Sequence, residues 1–194
     1  MAIVNGYCTL SGLKSFVGIG DGNDDTLLED SVEAASRQID AFCGRVFYAD
    51  AGVSARKYYT NNPYRLRVDD ISTTYETTVA ATDFQLLPLN SVAGGILTTP
   101  YYIIELISSS VHEWPLDLSS NRATAEITAK WGWSAVPEPI RQATLMLSSE
   151  LFAMRNAPLG VAGVGDFGVV NIQQNREITR LLAPFRKGTI LGVA

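Results

Sequence analysis

The chain is poor in the residues from which catalytic and metal centres are usually built. It has one histidine, His112, and two cysteines, Cys8 and Cys43. A lone imidazole and two thiols far apart in sequence give no zinc-ligand spacing, and two cysteines give no disulfide framework. Basic residues are outnumbered, with 15 Lys and Arg against 20 Asp and Glu, for a formal net charge of −5. That balance argues against a protein that holds nucleic acid by neutralising phosphates, while permitting a wall past which DNA slides. Long apolar runs are missing as well. Ile103-Ile104-Glu105-Leu106-Ile107 is broken by a carboxylate and falls far short of the roughly eighteen residues a membrane span requires. No signal-peptide pattern opens the sequence, so the expectation is a soluble, cytoplasmic chain with reduced thiols, Cys43 buried on an apolar helical stripe.

What is present is enough apolar material, 46% of the 194 residues, to fill one core, and its spacing changes along the chain. Thr9 is placed to cap a short helix with an inner face of Leu10, Leu13, Phe16 and Val17, closing at Gly18 and Gly20. Asp24 or Asp25 is placed to cap a second helix, with Thr26 and Glu29 at capping-box spacing. Leu28, Val32, Ala35, Ile39 and Phe42 recur in steps of four and three on its apolar face, and Gly44 is the stop.

From about Ser54 to Trp133 the pattern is short and β-like. The runs are Arg56 to Tyr59, Leu66 to Val68, a Thr-rich stretch through Val79, Phe84 to Leu87, Tyr101 to Ile107 and Thr124 to Trp131. Asn61-Asn62-Pro63, Leu87-Pro88-Leu89-Asn90 and Gly94-Gly95 punctuate them as turns. A small antiparallel sheet is predicted. Pro137 and Pro139 stop the last strand, and Pro139 suits the first turn of a long helix carrying Ile140, Ala143, Thr144, Leu147, Leu151 and Met154 on one stripe, ending near Asn156-Ala157-Pro158. This helix is expected to pack on the second one. A Gly/Val-rich loop, Gly160 to Val170, leads to a last short helix around Asn175 to Leu182, which Pro184 terminates. The predicted fold class is α+β, a helical bundle from the N- and C-terminal segments with a central antiparallel β insertion. It is read as a single domain, 1–194: helical over 1–45, β-rich over 54–133, a long helix over 137–157, and a glycine-rich loop, short helix and tail over 158–194.

Candidate chemistry gives way to plainer readings. Gly163-Val164-Gly165-Asp166-Phe167-Gly168 matches the dinucleotide-binding string but follows a helix and a proline, with no strand before it and no helix opening after it. Asp21-Gly22-Asn23-Asp24-Asp25 hints at calcium, yet Thr26 stands where the EF-hand needs glycine and Val32 where it needs a bidentate glutamate. His112 lies beside Glu113 and Trp114 without a nucleophile elbow anywhere in the chain. Asp69-Asp70 would face opposite ways in a strand and reads as a solvated turn. No catalytic residue, cofactor site or metal site is assigned. Tyr58, Tyr59, Tyr64, Tyr75, Tyr101 and Tyr102 are not interleaved with a basic stripe, so they do not form a nucleic-acid platform. Trp131 and Trp133, two apart on one strand face, are expected to be buried near the helix pair. Arg176, Arg180, Arg186 and Lys187 cluster against an acidic whole and read as a solvated helix end or a docking patch.

The order of the segments carries a family resemblance. The helix pair Leu27 to Phe42 and Ile140 to Met154, with the strings Val136-Pro137-Glu138-Pro139-Ile140-Arg141-Gln142-Ala143 and Leu182-Ala183-Pro184-Phe185-Arg186, resembles the head-tail connector (adaptor) proteins of tailed bacteriophages and phage-like gene transfer particles. The resemblance implies a structural virion protein of the head-tail neck, assembled in the host cytoplasm. Such a subunit docks on the portal protein as a ring of its own copies, a dodecamer, extends the DNA channel and supports a stopper or tail-completion protein. DNA would pass without sequence-specific binding, and no membrane is involved. The β region is longer than in the smallest members. The portal-docking interface is expected in the C-terminal segment: Phe167, Val169, Val170, Ile172, Arg176, Arg180, Phe185, Arg186 and Lys187. Two alternatives stay open: a tail-completion or stopper subunit, and a small carbohydrate- or nucleotide-processing enzyme using the β region.

Overall fold

A computed structural model describes residues 3–76, 83–88, 100–107, 113–115, 125–154 and 175–187. The chain divides into two compact units, Met1–Phe47 with Val136–Ala194, and Tyr48–Ala135.

The first unit holds helices α1 (Leu10–Val17), α2 (Asp25–Cys43), α3 (Glu138–Met154) and α4 (Arg176–Leu182), the last followed by a 3-10 turn, Ala183–Phe185. The Thr9 hydroxyl caps α1 by accepting from Gly12 N–H at 3.1 Å, and Gly18 ends the helix in the left-handed conformation, φ 78°. Leu13 is the fully buried residue of α1, with Leu10 and Val17 half-buried against the core, whereas Phe16 faces solvent. The expected inner face therefore loses one residue, Phe16.

The α2 helix begins at Asp25 with Asp24 as its N-cap residue, and no side-chain cap bond forms there. Thr26 already lies inside the helix, so the expected capping box with Glu29 is not built. Leu28, Val32, Ala35 and Ile39 are wholly buried, as expected; Cys43 completes the face and Phe42 is half-buried beside it. Gly44 stops the helix at φ 66°, a backbone region that costs a side-chain-bearing residue energy. Pro139 stands in the first turn of α3, which packs on α2. Ile140, Ala143, Thr144 and Leu147 are buried, but Leu151 is half-buried and Met154 exposed, because the stripe drifts to Ser148 and Phe152 in the last turns. Leu13, Leu28, Val32, Leu145 and Phe152 meet in one apolar cluster with Cys8.

The second unit is a five-stranded antiparallel sheet of β1 (Ser54–Tyr58), β2 (Arg65–Glu76), β3 (Phe84–Leu87), β4 (Tyr101–Leu106) and β5 (Ala125–Trp131), in the order β1-β5-β2-β4-β3. The two runs expected around Leu66 and in the Thr-rich stretch are one strand, β2. Its pairing with β4 shifts register between Arg67 and Ile71, and Ile71 joins Leu66 and Val68 in the core. Strand β5 alternates as a half-buried strand should, with Ala125, Ile127, Ala129 and Trp131 inward. Asn62 builds the turn before β2, its Oδ1 accepting from Tyr64 N–H and Arg65 N–H.

Asp69-Asp70 is not a solvated turn. Both residues lie in β2 facing opposite ways: Asp69 accepts from Arg56 at 2.8 Å, and the buried Asp70 accepts from Trp133 Nε1–H at 2.9 Å. Trp131 and Trp133 are buried as expected, Trp131 in the second unit's own core with Tyr58 and under the Arg56 guanidinium, and Trp133 with its indole N–H on Asp70.

Candidate docking surface

The C-terminal segment is built onto the first unit from Asn175 onward. Asn175 caps α4, its Oδ1 accepting from Glu177 N–H at 3.1 Å and Ile178 N–H at 3.2 Å, while its amide donates to Glu150 on α3. Ile178 and Leu182, one helical turn apart, are fully buried. Pro184 ends the α-helix and tightens the chain into the 3-10 turn. Beyond it Phe185 meets Phe47 edge to face at 5.8 Å, and Phe47 meets Tyr7 the same way at 5.6 Å. Arg186 stacks over Phe42 at 5.0 Å, and Lys187 N–H donates to the Cys43 carbonyl, one of those the helix end leaves without an intrahelical donor.

A polar network lies under the aromatic stack. Tyr7 hydroxyl donates to Asp40 and accepts from Phe47 N–H at 2.8 Å, and Tyr7 N–H donates to the buried Ser36 hydroxyl at 3.1 Å. Arg37 pairs with Asp40 at 3.0 Å, lies over the Tyr7 ring and donates to the Asn5 carbonyl. Burial raises the Asp40 pKa, as it does that of Tyr7, whose bond to Asp40 holds the phenol further in its protonated form. The arrangement ties the N-terminal segment, α2 and the C-terminal segment together; it contains no nucleophile and base pair. Among the described residues no group of three His, Cys, Asp or Glu side chains could hold a metal ion. Asp21 accepts from Asn23 N–H in a local turn.

Of the expected docking residues, Arg176, Arg180 and Arg186 are exposed, Phe185 and Lys187 are half-buried against α2 and Phe47, and Phe167, Val169, Val170 and Ile172 lie outside the described residues. His112, the string Gly163 to Gly168 and the turns at Leu89-Asn90 and Gly94-Gly95 also lie outside them. From Asn175 the segment does not extend away from the bundle; it completes it. Sequence reasoning missed Tyr7 and Phe47 as the floor of this surface. No local signal announced them, since Phe47 lies beyond the position that closes a helix end and its ring partners Tyr7 and Phe185 are distant in the sequence.

Residues 7–83 match the family model described as phage gp6-like head-tail connector protein. Over that span, about two fifths of the chain, the sequence is similar to that family. The match takes in α1, α2, β1 and β2, and stops short of β3. No curated protein matches the chain. Among solved structures, a chain from the "neck of empty GTA particle computed with C6 symmetry" is similar with a TM-score of 0.57 at 18% identity, covering 99% of this chain and 95% of that one. A chain from the "virion of native gene transfer agent (GTA) particle" is similar with a TM-score of 0.54, at the same identity and coverage. At this identity the likeness shows the fold, and it extends over the residues that the family model does not reach.

Proposed function

We propose that this chain is a structural subunit of the head-tail neck of a tailed phage or a phage-like gene transfer particle. One observation carries the reading: a gp6-like connector sequence over 7–83 sits in a fold that follows neck and virion chains of such particles over nearly its whole length. Both units act together as one adaptor. Copies form a ring on the portal protein, extend the DNA channel without reading the DNA, and give a stopper or tail-completion protein its platform. A dodecamer fits the C6 symmetry with which one similar neck was computed, since a twelve-membered ring contains that symmetry. The task is mechanical, with no catalytic step and no cofactor. Within the C-terminal segment the portal contact is assigned to Phe167, Val169, Val170, Ile172 and the exposed Arg176, because Phe185 and Lys187 are engaged with Phe47 and the end of α2.

The test is sedimentation of the purified chain with portal-bearing, tailless heads, followed by negative-stain microscopy. The expected result is co-sedimentation and ring density beneath the portal. Heads that sediment free of the chain overturn the connector reading; binding only to heads that already carry a connector selects the stopper reading instead. Replacing Phe167, Val169, Val170 and Ile172 together by Ser is expected to abolish attachment. Full occupancy by that variant would move the portal contact elsewhere on the chain.

A further inference from the structure

We propose that copies of this chain join head to tail through two complementary patches of the first unit, one at the start of α2 and the other at its end. The inference rests on the connector reading and adds the surface by which one subunit meets the next. At the start of α2, Phe16 and Leu27 are 47% and 43% exposed, and Lys14 Nζ to Asp25 Oδ1, at 2.6 Å, holds α1 against α2 there. Asp30 lies one turn beyond Leu27 on the same face, exposed and without an ion pair to a described residue. At the other end, Arg180 and Arg186 are exposed on either side of the exposed Pro184, and the Lys187 N–H bond to Cys43 fixes this turn at the helix terminus.

One patch is apolar with an acidic edge; the other is a proline turn flanked by basic side chains. Along α2, Asp30 stands thirteen residues before Cys43, about 20 Å at 1.5 Å per residue, well beyond the ~8 Å over which exposed charges act in physiological salt. The two patches cannot satisfy each other within one molecule. A second copy satisfies them fully, because every chain brings both halves in equal number. Such a contact is heterologous, so an open chain of copies keeps one free patch at each end until it closes on itself as a ring.

Sedimentation velocity on the full chain tests the contact, with head binding measured in parallel. Asp30→Lys, and separately Arg180→Glu with Arg186→Glu, are each expected to weaken self-association by about tenfold or more through like-charge apposition. An equimolar mixture of the two variants is expected to regain association, since the lysine of one then faces the glutamates of the other; a folding defect would not be rescued by mixing. Variants that associate like the parent, a mixture that stays dissociated, or a parent that never self-associates even on heads would each overturn the proposal. A parent that self-associates with this charge dependence but ignores portal-bearing heads would leave the contact standing and remove the connector reading.

Discussion

Among the described glycines, Gly132 is the one at which the backbone leaves least room for a side chain. Its φ is 99°, and a Cβ built on it would lie 1.8 Å from the Tyr48 carbonyl oxygen, a backbone atom that cannot swing aside. Gly132→Ala is expected to destabilise the second unit by about 2 kcal/mol or more, combining left-handed strain with displacement of the Tyr48 backbone; an unchanged urea midpoint would show that the two segments do not approach as described. The buried thiols offer a second residue-scale test. Burial pushes Cys8 up to about 11 and Cys43 up to about 12, from an ordinary value of 9.0. Both stay protonated in the folded chain while the unfolded chain ionises, so their contribution is fully present below about pH 9 and is lost as pH rises through the folded values. Stability should fall between pH 9 and 11, and Cys8→Ala with Cys43→Ala should flatten that slope. Native protein at pH 8 should also resist thiol reagents until denaturant is added.

At the scale of elements, most boundaries were legible because local chemistry fixes them. Thr9 and Gly18 frame α1, Gly44 stops α2, Pro139 opens α3, and the β3 residues Phe84 to Leu87 form the strand their flanking turns announced. The misreadings share a different cause, since they depend on what arrives from elsewhere in the chain. Asp70 looked like turn material until Trp133 supplied its donor, and Phe16 counted as core although Leu10, Leu13 and Val17 are the α1 residues that reach it. The C-terminal segment read as a docking tail because nothing local announces that Phe185 will meet Phe47. The α3 stripe shows the same limit quantitatively. Leu147→Ala should cost about 2–5 kcal/mol through lost burial and a cavity, whereas Leu151→Ala, half-buried, should cost clearly less. Equal losses in thermal melts of the two variants would show that the stripe does not drift. The candidate docking surface was legible in its charges, Arg176, Arg180 and Arg186, and illegible in its aromatic floor.

At the scale of the whole molecule, the β unit closes on itself where the chain enters and leaves it. Asp50 N–H donates to the Trp131 carbonyl at 2.9 Å, Trp133 N–H donates to the Tyr48 carbonyl at 3.2 Å, and Ala49 bridges Gly132 between them. Gly132 N–H in turn donates to the Asp70 carbonyl at 2.7 Å, and the Trp133 indole reaches the Asp70 carboxylate, so the incoming and outgoing segments are sewn to the centre of β2. The apolar cluster of this unit draws on Leu66, Ile71, Ile104, Ile127 and Trp131, all within its own span. A segment with its own core and with its two ends already paired pays little loop-closure entropy when cut from its host. Residues 48–135 expressed alone are therefore expected to give a β-type circular dichroism spectrum and a cooperative, reversible melt. Trp133→Phe in that fragment should lower its stability by about 1–3 kcal/mol, the scale for a buried hydrogen bond lost to a charged group. A fragment that shows no cooperative transition would mean that the β unit depends on the helical one for its fold, and that the insertion is not the separable module its closed base describes.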